Sequence, residues 1–247
     1  MCIRDSYDPA FAFELATIIR TGIDEMFVEN KDVLYYLAVD NENHPMPPKP
    51  SGVDEGIVKG IYKLRSVPKG EGPVVRLVGS GPIMLQVLDA VEKLEEFGVR
   101  SEIWSATSYG ELRRDGLECE RWNRLNPDKP EKQAWVEKMF SSSSEPIIAV
   151  SDNMAAVPDM VRQWMPDDYT VLGTDGFGRS DTRQNLRRFF EIDAQHVTIA
   201  ALSALVNSHE IDIKTYDKAV KDLAISKERA DITSVSYTHL TLPTNRE

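Results

Sequence analysis

The sequence predicts an α/β fold, a mostly parallel sheet flanked by helices on both faces. Three observations carry this. From residue 73 onward, short β-prone runs alternate with segments of helical periodicity, the order that links parallel strands through crossover helices. Two of those runs lead directly into glycine loops, at residues 79–82 and 173–178. The longest apolar run, residues 33–39, suits a strand buried on both faces rather than an alternating surface strand.

The elements follow in order. Asp8 ahead of Pro9 reads as a helix start, an acceptor side chain before a proline at the first helical position. Phe11, Leu15, Ile18, Ile19, Ile23, Met26 and Phe27 then mark one apolar face down to about Glu29. Residues 41–52, with Pro45, Pro47, Pro48 and Pro50, predict a linker or ordered crossing loop, in which His44 is a surface or packing residue. Ile57, Ile61 and Leu64 predict a short amphipathic helix over 53–64, and residues 69–72 a turn.

Strands are then predicted at 74–78, 101–106, 146–150 and 169–172. Helices are predicted at 83–97 (Leu85, Leu88, Val91 and Leu94 inward), from Ser108 as cap to Leu117, and from Asp152 as cap through Trp164 to Pro166. Ser180-Asp181 starts another, with Leu186, Phe189 and Phe190 on one face, followed by helices at 196–205 and 215–223. The ends stand apart. Residues 1–6 and 234–247 resemble translated sequencing-adapter read-through and join neither neighbouring pattern, which sets aside Cys2 and His239 and starts the native-looking chain at about Tyr7.

Composition narrows the function. A net charge of −11 argues against a nucleic-acid surface. No apolar run approaches the roughly 20 residues that span a bilayer. Two cysteines make no disulfide framework, and a reducing cytoplasm fits best. Gly79-Ser80-Gly81 lacks the third glycine of a dinucleotide fingerprint, because Met84 stands there. Cys119 lies between Glu118 and Glu120, which raise a thiol's pKa rather than activate it. Asp152, Asp167, Asp168, Asp175 and Asp181 sit where caps and turns want aspartate, without metal-ligand spacing. The loop from Gly173 to Ser180, between a strand and a helix, is the strongest candidate site; Asp175, Phe177, Arg179 and Ser180 are its candidate crevice or interface residues.

Four stretches carry a resemblance. They are residues 7–14 (YDPAFAFE); Asn41-Glu42-Asn43 with Met46-Pro47 through 55–64 (EGIVKGIYKL); Arg114-Asp115-Gly116 with Cys119-Glu120-Arg121-Trp122-Asn123; and 173–193 (GTDGFGRSDTRQNLRRFFEID). In this order, over about residues 7–232, they resemble the last quarter or so of the homodimeric pyruvate dehydrogenases, the decarboxylating component of the pyruvate dehydrogenase complex. The resemblance implies a transketolase C-terminal-domain-like fold at 73–233, a connecting segment at 41–72, and at 7–40 the end of the middle, pyrimidine-binding domain.

The resemblance further implies a parent oxidoreductase that uses thiamine diphosphate and Mg2+, takes pyruvate, passes an acetyl group to a lipoyl-bearing acetyltransferase, and works as a homodimer. The family's Gly-Asp-Gly cofactor segment does not occur here, and its catalytic glutamate and histidine would match positions before Tyr7. No catalytic, cofactor or metal residue is therefore carried over, and no cofactor is expected on this chain itself. Its expected contribution is dimerisation and scaffold. Two alternatives remain at this point: the corresponding part of another thiamine enzyme of the transketolase superfamily, or a stand-alone interaction module of that fold.

Overall fold

The computed structural model describes residues 5–41, 43–141 and 144–228. Cys2, Glu42, Ser142, Ser143, His239 and the whole of 234–247 lie outside the described residues. The elements are β1 (Asp5–Tyr7), α1 (Ala12–Ile23), β2 (Tyr35–Leu37), α2 (Asp54–Lys59), β3 (Ile61–Arg65), β4 (Val74–Gly79), α3 (Met84–Glu96), β5 (Arg100–Ala106), α4 (Tyr109–Leu125), α5 (Trp135–Phe140), β6 (Ile147–Val150), α6 (Ala156–Asp159), β7 (Tyr169–Leu172), α7 (Arg183–Phe189), α8 (Ala194–Asn207) and α9 (Ile213–Asp222).

The main sheet has the order β3-β5-β4-β6-β7. β5, β4, β6 and β7 are mutually parallel, and β3 runs antiparallel on the edge. Alternation along the strands divides the core. Val75 and Leu77 of β4, Ile103 of β5 and Ile148 of β6 face α3 and α8, where Val87, Ala90, Leu94, Val197, Ala201 and Leu205 close a fully buried layer. Val78, Trp104, Ile147 and Ala149 face the other way, against Leu112 of α4 and Phe140 of α5. Burial of both faces is what continuous rather than alternating apolar strands require.

Several expectations are corrected. Asp8-Pro9 does not cap α1. Phe11 is the N-cap, and Glu14 folds back so that its Oε2 accepts from the Ala10 and Phe11 N–H groups at 2.5 and 3.0 Å. Asp8 is held elsewhere: its N–H donates to Thr107 O and its carbonyl accepts from Gly81 N–H. Helical winding does continue toward Glu29, but as a wider π-type turn over Asp24–Val28. Only Tyr35–Leu37 of the 33–39 run is laddered, since the described partner strand, β1, is three residues long.

The helix expected over 53–64 stops at Gly60, whose φ of 103° ends it, and Ile61 onward pairs with β5 instead. Asp152 caps nothing; α6 has Ala155 at its N-cap and is followed by a 3-10 turn at Arg162–Trp164. α7 begins after Thr182, whose hydroxyl accepts from Asn185 N–H, rather than at Ser180-Asp181. In α3 the fully buried positions are Met84, Val87, Ala90, Val91 and Leu94, with Leu85 and Leu88 half-buried. The short α5 was not expected.

On α1 the buried face is Glu14, Ile18 and Gly22, while Ile19 and Ile23, with Phe27 of the π-type turn that follows, are exposed, Phe27 to 76%. Leu34, Tyr36 and Val39 are exposed as well, which concentrates exposed apolar side chains on the first 40 residues. α7 and α8 together span Arg183–Asn207, a stretch of bilayer length by composition. The chain breaks between them at Glu191 (φ 58°), and α8 buries its apolar side chains in the core.

Candidate functional site

The geometry begins with a reversal of strand order. From β4 the chain crosses to β5 on one side, and from β6 to β7 on the other, although β4 and β6 are neighbours. Connections that part in this way leave a crevice beyond the carboxyl ends of the two strands. Here those ends are Gly79-Ser80-Gly81 and Val150-Ser151-Asp152, stitched by Ser80 Oγ donating to Ser151 Oγ at 3.3 Å.

The strap from β1 to α1 crosses this end of the sheet. Gly81 sits at φ 51° directly against the Asp8 carboxylate, so any Cβ there would collide with it. Burial pushes the Asp8 carboxyl up to about 7, and the nearby carboxylates of Asp152 and Glu14 push the same way. Glu14 is fully buried, and its Oε1 accepts from Tyr62 OH and Ser105 Oγ, both at 2.6 Å. Burial still raises its pKa, although those two bonds and the two backbone N–H groups oppose the rise. Asp152 is exposed along its outer surface, yet desolvation of the carboxyl raises its pKa too.

Outside this carboxylate layer lies a pocket of about 550 Å³. Pro82, Phe190 and Ile192 give it apolar walls; Arg179, Arg183 and Arg187 line it with guanidinium groups, and Asp40 and Asp152 with carboxylates. Arg183 reaches Asp40 Oδ1 at 3.5 Å and Asn41 Oδ1 at 3.2 Å.

Of the four residues singled out in the 173–180 loop, Arg179 alone lines this pocket. Its guanidinium lies 4.2 Å from the centre of the Phe189 ring. Asp175 turns back to accept from Ala155 N–H at 3.3 Å, Phe177 is 57% exposed, and Ser180 is exposed. The base of the loop is pinned by Thr174, which donates from N to Asn153 O and from Oγ1 to Asp152 O, each at 2.9 Å. Sequence reasoning missed Asp8, Glu14, Asp40, Arg183 and Arg187. Only the Arg183/Arg187 pair left a local signal, the i, i+4 spacing that puts both on one helix face. His44 packs as expected, its Nε2 3.2 Å from Ala10 O and its ring beside Phe11.

Thiamine diphosphate with its metal does not fit these residues. Among the described residues no three His, Cys, Asp or Glu side chains converge as a metal site. Glu14, the most deeply buried glutamate among the described residues, is saturated by four donors and has no oxygen left for a pyrimidine.

The chain was compared with known proteins. Residues 60–193 match the family model described as "Transketolase-like TK C-terminal domain", and residues 2–47 that of the "Pyruvate dehydrogenase E1 component middle domain". The pyruvate dehydrogenase E1 component of Pseudomonas aeruginosa is 45% identical over 226 residues, which is 91% of this chain and 26% of that protein. The corresponding protein of Escherichia coli K12 is 44% identical over 229 residues, 92% of this chain and again 26% of the relative. The chain thus spans about a quarter of the length of these relatives.

Solved structures agree on the fold. A transketolase from Pichia stipitis, in complex with sedoheptulose 7-phosphate, superposes with a TM-score of 0.53 at 18% identity, covering 85% of this chain and 26% of that one. Campylobacter jejuni transketolase gives 0.52 at 16%, over 81% and 26%. With a transketolase-type sheet behind the crevice and a pyruvate dehydrogenase segment strapped across it, the chain belongs to the transketolase-like C-terminal domain family, in the form carried by pyruvate dehydrogenase E1 components.

Proposed function

We propose that the chain is the C-terminal part of a thiamine-diphosphate-dependent pyruvate dehydrogenase subunit and serves it as scaffold and dimerisation module. In the parent, pyruvate loses carbon dioxide and an acetyl group passes to the lipoyl carrier of a partner acetyltransferase. On this reading residues 7–40 end the middle domain, 41–72 connect, and 73–233 form the C-terminal domain. The parent's thiamine diphosphate and Mg2+ are held by segments other than this one, and no chemical step is assigned to its residues. The homodimer and a cytoplasmic location belong to the same proposal.

One observation carries it above all: the middle-domain match and the C-terminal-domain match follow one another in a single chain, at 42–45% identity to E1 components of several bacteria. The transketolase likeness stops at 18% identity and supports the fold alone.

The test is complementation in a single chain. Residues 7–228 replace the matching part of a pyruvate dehydrogenase E1 component such as that of Escherichia coli, and the hybrid is assayed with pyruvate and with sugar phosphates. Pyruvate-dependent release of carbon dioxide by a dimeric hybrid, with none from the chain alone, is the expected result. A folded, dimeric hybrid that turns over only sugar phosphates overturns the reading.

A further inference from the structure

The pocket beyond β4 and β6 is lined by three guanidinium groups and two carboxylates. Arg179 is held by its face on Phe189, and its guanidinium N–H groups donate to no described residue. Arg187, one turn along α7 from Arg183, likewise donates no side-chain hydrogen bond to a described residue, yet it lines the same pocket. A guanidinium offers five donors in a planar fork, matched to a carboxylate or phosphate. Two carboxylates face them: Asp40, which Arg183 engages, and Asp152, which feels the charges of Arg187 and Arg183 without a hydrogen bond from either. The opposite wall is apolar, with Pro82, Phe190 and Ile192. A volume of about 550 Å³ suits a small organic molecule.

We propose that this crevice is a binding site for a small organic oxyanion. Its anionic head, a carboxylate or a phosphate, is seated between Arg179 and Arg187, and its apolar body lies against Pro82, Phe190 and Ile192. The inference stands on this chain's own pocket, so it holds or fails independently of the pyruvate dehydrogenase reading. A chain with net charge −11 repels anions over most of its surface, so two guanidinium groups without a hydrogen-bonded partner among the described residues are the place where one can settle.

Nuclear magnetic resonance titration of the full chain tests this, with four probes: phenyl phosphate, benzoate, inorganic phosphate and phenol. Saturable shifts of the Gly176, Gly178 and Ile192 amides are expected with phenyl phosphate or benzoate, at a Kd below about 1 mM. Inorganic phosphate and phenol, each carrying only half of the recognition, should bind about tenfold more weakly or worse. Whichever of phenyl phosphate and benzoate binds more tightly identifies the head group.

The double variant R179Q/R187Q should weaken binding by at least about tenfold, with the rest of the spectrum unchanged. As a second measurement, phenyl phosphate should raise the melting temperature of a full-length subunit carrying these residues, but not that of its R179Q/R187Q form. Absence of saturable shifts up to about 10 mM, equal affinity in the double variant, or no melting shift in the full-length subunit overturns the proposal.

Discussion

Asp8 shows how one side chain can set the pH behaviour of a fold. Its carboxyl is raised from 3.8 to about 7 by burial and by the carboxylates of Asp152 and Glu14. Between those two values the folded chain holds a proton that the unfolded chain has released. Stability therefore falls as pH rises from about 4 to about 7, and levels off above. Asp193 works in the opposite sense: burial alone would raise it, but hydrogen bonds from the His196 ring and N–H, with the Arg188 charge, leave it lowered, so its contribution is lost in acid. Asp8→Asn keeps the shape and removes the charge. At about pH 8 it should stabilise the chain by about 2–4 kcal/mol, less the share screened by solvent. At about pH 4 the gain should shrink toward zero. Urea unfolding at the two pH values measures this, and equal effects at both would refute the assignment. None of this was legible in the sequence, where Asp8-Pro9 reads as a helix cap. The partners that bury it, Thr107 and Gly81, come from loops far along the chain.

Elements show where reading a sequence succeeds. β7 runs over Tyr169–Leu172 as expected, because a β-branched and aromatic run bounded by polar turn residues has no competing helical period. β3 was misread. Ile57, Ile61 and Leu64 have helical spacing, but Gly60 at φ 103° ends α2, and Ile61 and Tyr62 find a ladder with Ala106 and Ser105. That partner lies more than 40 residues away, and spacing cannot reveal it. Glycine also decides the seam between α4 and the 3-10 turn at Arg162–Trp164. A Cβ on Gly116 would meet the Trp164 indole at 2.5 Å. Gly116→Ala should therefore destabilise by about 1–3 kcal/mol despite the better helix propensity of alanine, as read from thermal or denaturant melts. A neutral or stabilising result would show that Trp164 moves aside at little cost. The candidate loop was legible as a strand-loop-helix corner, and of its four candidate residues Arg179 lines the pocket. Asp175 went to a backbone bond instead, a use of aspartate that leaves the same mark in sequence.

For the whole molecule, the exposed apolar side chains on the first 40 residues are the largest departure from a self-contained domain. Ile18 is buried under the strap, and Tyr35 and Leu37 are half-buried. The exposed side chains are those of Ile19, Ile23, Phe27, Tyr36 and Val39. Replacing Ile23 and Phe27 together by Ser should reduce binding of a hydrophobic dye by the isolated chain, with a stability change within about 0.5 kcal/mol. Loss of the fold on this change would show that the two side chains are core residues after all. The strap itself has a consequence in time. Ser108 Oγ donates to Ser6 O across 102 residues of chain, and Asp8 N–H donates to Thr107 O over a similar span. A ribosome adding roughly 5–20 residues per second delivers those partners about 5–20 seconds after the strap has been made. For that interval the first segment is a nascent chain without its seat, the period in which a chaperone or a protease would meet it.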